Sequence, residues 1–125
     1  MIHGVGTDIL ASARMGELPE EDAFVRKTFT ERERAEIFAR ETPQSCLCSR
    51  FAGKEAVFKA LRMDADTARL NEIEILSDEN GAPTVTLHGR MAARAAEMGV
   101  GPIHLSLSWE TDYAVAFAVA EKAEN

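Results

Sequence analysis

Residues 103–120 place the strongest constraint on the fold. Ile103, Leu105 and Leu107 alternate with His104, Ser106 and Ser108, and after Glu110-Thr111-Asp112 a second stretch runs from Tyr113 to Ala120. Alternation at a period of two marks a strand with one buried face, and a short polar turn joins two such strands as an antiparallel hairpin. An earlier pair has the same form: Asn71 to Leu76, the turn signal Asp78-Glu79-Asn80-Gly81, then Thr84 to Leu87. A lone hairpin is marginal in water, so these pairs need a covering layer.

The helices that supply it are expected earlier in the chain. Pro19 to Lys27 has proline and acids in its first turn and bases in its last, as the helix macrodipole favours. Thr30-Glu31-Arg32-Glu33 is a capping box opening a helix to about Arg40, which Thr42-Pro43 ends. Gln44 to about Leu61 predicts a long helix with an apolar stripe of Leu47, Phe51, Phe58 and Leu61. Gly89 to Met98 is an alanine-rich helix stopped by Gly99. Ile2 to Thr7 predicts a short opening strand, and its glycines at 4 and 6 mark close approach of another backbone or a ligand. Helices early and paired strands late predict an α+β fold with an antiparallel sheet. With 125 residues and neither repeat nor linker, one domain over residues 1–125 is expected.

Hydrophobic residues at 46% and charged residues at 28% exclude the disordered and low-complexity classes. No apolar run approaches the roughly 20 residues of a membrane span. Met1-Ile2-His3-Gly4 lacks the basic and apolar regions of a signal peptide, so a cytoplasmic location is expected. Cys46 and Cys48, spaced C-x-C, cannot hold a structural zinc by themselves and are expected only to pack. The net charge of −7 is unevenly spread: residues 1–63 hold ten basic and ten acidic residues, residues 64–125 four basic and eleven acidic. That balance speaks against nucleic acid and anionic membranes as partners and directs any anionic ligand to the first half.

Some polar residues stand where apolar ones belong. Lys54 falls in the middle of the long helix's stripe, with Glu55 and Lys59 together on its shoulder and Arg62 a turn further on. Charges beside a buried face are paired or hold a ligand; a surface Glu–Lys pair with a snorkelling Lys54 is the plainer reading. Asp8, at the expected end of the first strand, suits a helix N-cap or a hard-metal ligand. Magnesium is held by one or two carboxylates plus phosphates, a need that Asp8, Glu55 and the nearby lysines would meet together. His104 alone reads as a surface or satisfied core residue.

Taken together, these segments resemble the holo-acyl-carrier-protein synthases, the small bacterial class of 4'-phosphopantetheinyl transferases. The match rests on Gly4-Val5-Gly6-Thr7-Asp8-Ile9 with Arg14 at the family's spacing, and on Arg50-Phe51-Ala52-Gly53-Lys54-Glu55-Ala56-Val57-Phe58-Lys59-Ala60. It continues through the hairpin Asn80-Gly81-Ala82-Pro83, His104-Leu105-Ser106-Leu107-Ser108 and Tyr113-Ala114-Val115-Ala116. The resemblance spans nearly the whole chain in the family's order and implies that family's fold. It implies transfer of the 4'-phosphopantetheine arm of coenzyme A to a serine of apo-acyl carrier protein, releasing adenosine 3',5'-bisphosphate. Asp8 and Glu55 match the family's Mg²⁺ ligands, and Lys59 the lysine near the coenzyme A pyrophosphate. Arg50, Lys54 and His104 match positions lining the coenzyme A site. The resemblance also implies a homotrimer with active sites at subunit interfaces. Arg14 matches the surface that docks the acidic carrier protein, and the charge split adds Arg26 and Lys27 to that patch.

Such chemistry needs little covalent work from a protein, since catalysis of attack on phosphorus is positioning and charge neutralisation. Where the family usually has Gly-Thr-Gly, this chain has Arg62-Met63-Asp64-Ala65-Asp66. Its two acids are expected to weaken coenzyme A binding. The alternatives are a Mg²⁺-dependent hydrolase of pyrophosphates and a non-catalytic carrier-binding paralogue.

Overall fold

The protein is described by a computed structural model over residues 1–124. Strand β1 (Ile2–Ala11) leads into a short helix α1 (Ser12–Met15), then α2 (Ala23–Thr28), α3 (Glu31–Phe38) and the long α4 (Pro43–Leu61). Strands β2 (Ile73–Ser77) and β3 (Pro83–Leu87), helix α5 (Gly89–Glu97), and strands β4 (Val100–Trp109) and β5 (Tyr113–Lys122) complete it. The expected α+β class with antiparallel pairing is what the chain adopts. One sheet has the order β1-β5-β4 and a smaller one pairs β2 with β3, every pair antiparallel.

Helix α4 lies across the inner face of the larger sheet. That face is made of small side chains: Ala114, Ala116, Ala118 and Ala120 of β5 are all buried, as are Ala52, Ala56 and Ala60 of α4. A Cβ added at Gly6 would sit 2.0 Å from the Ala56 carbonyl oxygen, and one at Gly4 2.2 Å from that of Ala60. The glycines of β1 therefore serve backbone contact with α4. Cys46 and Cys48 pack as free thiols, and burial pushes both thiols above their usual range, so they are inert as nucleophiles.

Several boundaries differ from those expected. β1 does not stop at Thr7; it continues to Ala11, with Asp8 opposite Ala116. Asp8 is thus a strand residue and no helix cap: α1 is preceded by Ala11 and has no side-chain cap. Helix α2 starts at Ala23, because Asp22 accepts the Phe24 amide at 2.8 Å and is a better cap than the Pro-Glu-Glu before it. Pro43 does not merely end α3: it opens α4, where a missing N–H costs nothing. Helix α3 ends at Phe38, two residues early. The β2–β3 turn follows its signal, with the Asp78 carboxylate accepting the amides of Asn80 and Ala82 and Gly81 at φ 85°.

The capping box of α3 is closed on both sides, and Glu33 does more than cap. Fully buried, it accepts the Thr30 amide at 2.9 Å and the Ile75 amide of β2 at 2.8 Å. It also meets the Lys54 ammonium at 2.8 Å. Thr30 in turn donates to Glu74 at 2.6 Å, and Glu74 also contacts His88 and Arg32. Burial alone would raise the Glu74 carboxyl, but hydrogen bonds from Thr30 and His88 and the Arg32 charge hold it below its usual 4.5. A lowered carboxylate stabilises the fold above its unfolded value and loses that contribution as pH falls through the folded one. The urea midpoint is therefore expected to fall below about pH 4.5, and in Glu74→Gln it should start lower at pH 7 and decline less steeply. A parallel decline in both proteins would remove Glu74 from the acid response.

Candidate active site

The close packing of β1 on α4 has a direct consequence. Gly6 admits Ala56, so the next inner-face residue of the strand, Asp8, comes beside the turn of α4 that carries Glu55 and Lys59. The Lys59 ammonium donates to the Thr7 carbonyl at 2.8 Å and lies 3.5 Å from an Asp8 carboxylate oxygen. Glu55 is half-buried, and its carboxyl is raised by burial first and by the Asp8 charge second, with Lys59 pulling the other way. Two hard carboxylates and one exposed ammonium thus meet at one edge of the sheet. The structure brings together Asp8, Glu55 and Lys59, residues far apart in sequence.

The donor set suits a hard divalent cation. Asp8 and Glu55 supply two carboxylates whose mutual repulsion such an ion relieves, and no third His, Cys, Asp or Glu joins them among the described residues. Magnesium accepts such an arrangement, because waters and substrate phosphates complete its shell.

Arg50 and Lys54, expected to line the coenzyme A site, are both buried. Lys54 is fully buried, and its ammonium donates to the carbonyls of Leu70 and Ile73, pairs with Glu33, and lies 5.2 Å above the Phe29 ring. It neither snorkels nor presents its charge to a ligand in this chain; it ties α4 to α3 and to the start of β2. Arg50 is 3% exposed, donating to the Ile75 carbonyl, to Glu36 at 2.6 Å and to Ser77. Burial would raise the Glu36 carboxyl, but Arg50 and Ser77 hold it low. The edge of Arg50 nevertheless reaches a hollow of about 240 Å³ shared with Arg40, Ser45, Ser49, Gly81 and Trp109. Sequence reading passed over Arg40, Ser45 and Ser49 here; the one-turn spacing of the two serines beside a helix-terminal arginine was the available signal.

His104 is on the opposite face of the sheet from Asp8. Exposed, its Nε2 lies 2.6 Å from the Glu121 carboxylate. That outer face carries Val5, Ile9, Tyr113, Val115 and Phe117, each more than a third exposed. Arg14 of α1 borders a second hollow, about 350 Å³, floored by Leu10, Met15, Leu18, Phe24 and Phe51. Arg26 and Lys27 are exposed in the last turn of α2, the helix that carries Phe24.

Residues 4–118 match the family model described as the 4'-phosphopantetheinyl transferase superfamily, and the chain belongs to that superfamily. Within it, the chain is similar to the holo-[acyl-carrier-protein] synthase of Natranaerobius thermophilus: 38% identical over 121 residues, covering 95% of this chain and 97% of that protein. Among solved structures it is similar to the holo-[acyl-carrier-protein] synthase of Neisseria meningitidis, with TM-score 0.86, 33% identity, and coverage of 98% and 100% of the two chains. It is also similar to the enzyme of Chronobacterium ammoniagenes in its complex with coenzyme A, with TM-score 0.81, 28% identity, and coverage of 97% and 98%.

Proposed function

We infer that this protein transfers the 4'-phosphopantetheine arm of coenzyme A to a serine of apo-acyl carrier protein, releasing adenosine 3',5'-bisphosphate. The observation that carries the reading is the junction of Asp8, Glu55 and Lys59, held by backbone contact between β1 and α4, in a chain of this superfamily. Asp8 and Glu55 are the residues that would hold Mg²⁺, which when bound would supply charge neutralisation at the pyrophosphate. Lys59, anchored on the Thr7 carbonyl, keeps its ammonium beside that charge and neutralises the departing bisphosphate. Glu55, beside Asp8 and Lys59 at the edge of the sheet, is a candidate to accept the serine proton. Arg40 and the edge of Arg50 form a cationic hollow suited to the anionic end of coenzyme A. Lys54 supports that site from inside, by fixing the turn of α4 next to Glu55.

A homotrimer fits the outer sheet face, where exposed apolar side chains surround His104. Such a patch marks an interface, and covering it with a second copy would carry His104 towards a neighbour's site. The carrier protein docks at Arg14 and the apolar hollow beside it, with Arg26 and Lys27 extending the basic rim. Rim charges act mainly on encounter and are screened over roughly 8–10 Å at ordinary salt. The apparent KM for carrier should therefore rise with salt. Arg14→Glu should raise it at low salt, flatten that dependence, and leave coenzyme A affinity unchanged. An unchanged carrier KM with impaired coenzyme A binding would move Arg14 to the nucleotide site.

Mass spectrometry tests the reaction itself. A candidate apo-carrier incubated with coenzyme A, Mg²⁺ and the protein should gain one phosphopantetheine arm, and coenzyme A alone should stay intact. Hydrolysis of coenzyme A without carrier would favour the hydrolase, and carrier binding without mass gain the non-catalytic paralogue.

A further inference from the structure

The acidic second half of the chain holds only four basic residues among 64–125: Arg69, Arg90, Arg94 and Lys122. Three of them border one hollow of about 290 Å³, between the loop that follows α4 and the start of α5. Met63 and the buried Met91 line it as apolar surface, and Thr67 adds a hydroxyl. Asp66 is its single carboxylate. None of the three guanidinium groups takes part in an ion pair or side-chain hydrogen bond among the described residues. Arg90 and Arg94 stand one turn apart on α5, where like charges repel. The neighbouring Glu72 carboxylate accepts the Met91 amide at 3.0 Å and forms no ion pair with any of the three. Three cations, converging without partners in an otherwise acidic region, are arranged for an anion from outside.

We propose that this hollow binds a phosphate monoester. Within the hollow's lining three guanidinium groups face one carboxylate, Asp66, an excess of positive charge that favours a dianionic monoester over a singly charged diester. The partly exposed Met63 offers a soft, polarisable surface to the body that carries the phosphate. This places an anion site in the half of the chain whose net charge argued against one. The site uses none of Asp8, Glu55 or Lys59, so it stands whether or not the chain transfers phosphopantetheine. The monoester has two possible sources, a separate phosphorylated metabolite or the 3'-phosphate of coenzyme A.

Titrating the ¹⁵N-labelled protein with phenyl phosphate above pH 7 tests the site. Saturable shifts are expected at the amides of Thr67 and Arg69 and at the Nε–H groups of Arg69, Arg90 and Arg94. The double substitution Arg90→Gln/Arg94→Gln should weaken binding at least tenfold, and Arg69→Gln alone should weaken it less. Phenyl sulfate, a monoanion of like shape, should bind more weakly. The KM values for coenzyme A and dephospho-coenzyme A separate the sources. If the double variant leaves both unchanged, the occupant is a separate metabolite; if it raises only that of coenzyme A, the occupant is the 3'-phosphate. Shifts that stay linear with concentration, that ignore the arginine substitutions, or that fall at Arg40, Arg50 and Lys59 instead would overturn the proposal. So would shifts of these resonances with apo-carrier but not with phenyl phosphate, which would make the hollow a protein contact.

Discussion

Lys54→Met is expected to destabilise the protein by about 3–5 kcal/mol, the effect of removing one partner from a buried ion pair. The substitution keeps the length and most of the volume of the side chain, so packing changes little. What it removes is the cation paired with Glu33, a fully buried carboxylate. It also leaves the carbonyls of Leu70 and Ile73 without their donor. Against a total stability of roughly 5–15 kcal/mol, such a loss brings the fold close to its limit. Adding Glu33→Gln should restore only part of it, because the orphaned charge goes but the single amide oxygen can accept from just one of the Thr30 and Ile75 amides that the two carboxylate oxygens now serve. Equilibrium urea unfolding of the wild type and the two variants measures this. A cost below about 1 kcal/mol for Lys54→Met, the level of an exposed pair, would mean that water reaches the site.

That pair also shows where sequence reading stops. Lys54 stood out because helical periodicity put a charge in an apolar stripe, a local signal. Its partner did not stand out, because Glu33 already had a local explanation as the closing glutamate of a capping box. Nothing in the sequence says that one carboxylate serves a cap, a strand amide and a distant lysine together. The two hairpins and the α3 cap were legible because their determinants lie within a few residues. The glycines of β1 announced a close approach, but that the approaching backbone belongs to α4 is a tertiary fact. The sequence puts Asp8 at a strand end because Asp is a poor strand former; pairing with β5 overrides that propensity and carries the strand four residues past Thr7. His104 was placed on the correct strand face by alternation, yet its separation from Asp8 by the thickness of the sheet follows only from the strand order.

Asp8→Asn and Glu55→Gln should each abolish transfer while leaving the fold intact. Asp8 is partly exposed at the edge of the sheet, and its hydrogen-bonding and ion-pair contact is the long one to Lys59, so losing its charge disturbs no core interaction. Glu55→Gln relieves a carboxyl that burial and Asp8 already disfavour, so that protein should be at least as stable as the wild type above neutral pH. Both variants lose half of the charge that would hold the proposed cation. Metal stabilisation of a phosphoryl transition state is worth several kcal/mol, and each ~1.4 kcal/mol is tenfold in rate, so a loss of about 10²–10³-fold or more is expected.

The most direct test is the rate of arm transfer to apo-carrier as Mg²⁺ is lowered from saturating to limiting, for the wild type, Asp8→Asn and Glu55→Gln. The wild type should show a saturable dependence on Mg²⁺ and fall to background with a chelator. Both variants should stay near background at every metal concentration, with unchanged urea midpoints for Asp8→Asn. Near-normal turnover by either variant at limiting Mg²⁺ would contradict a metal site shared by Asp8 and Glu55.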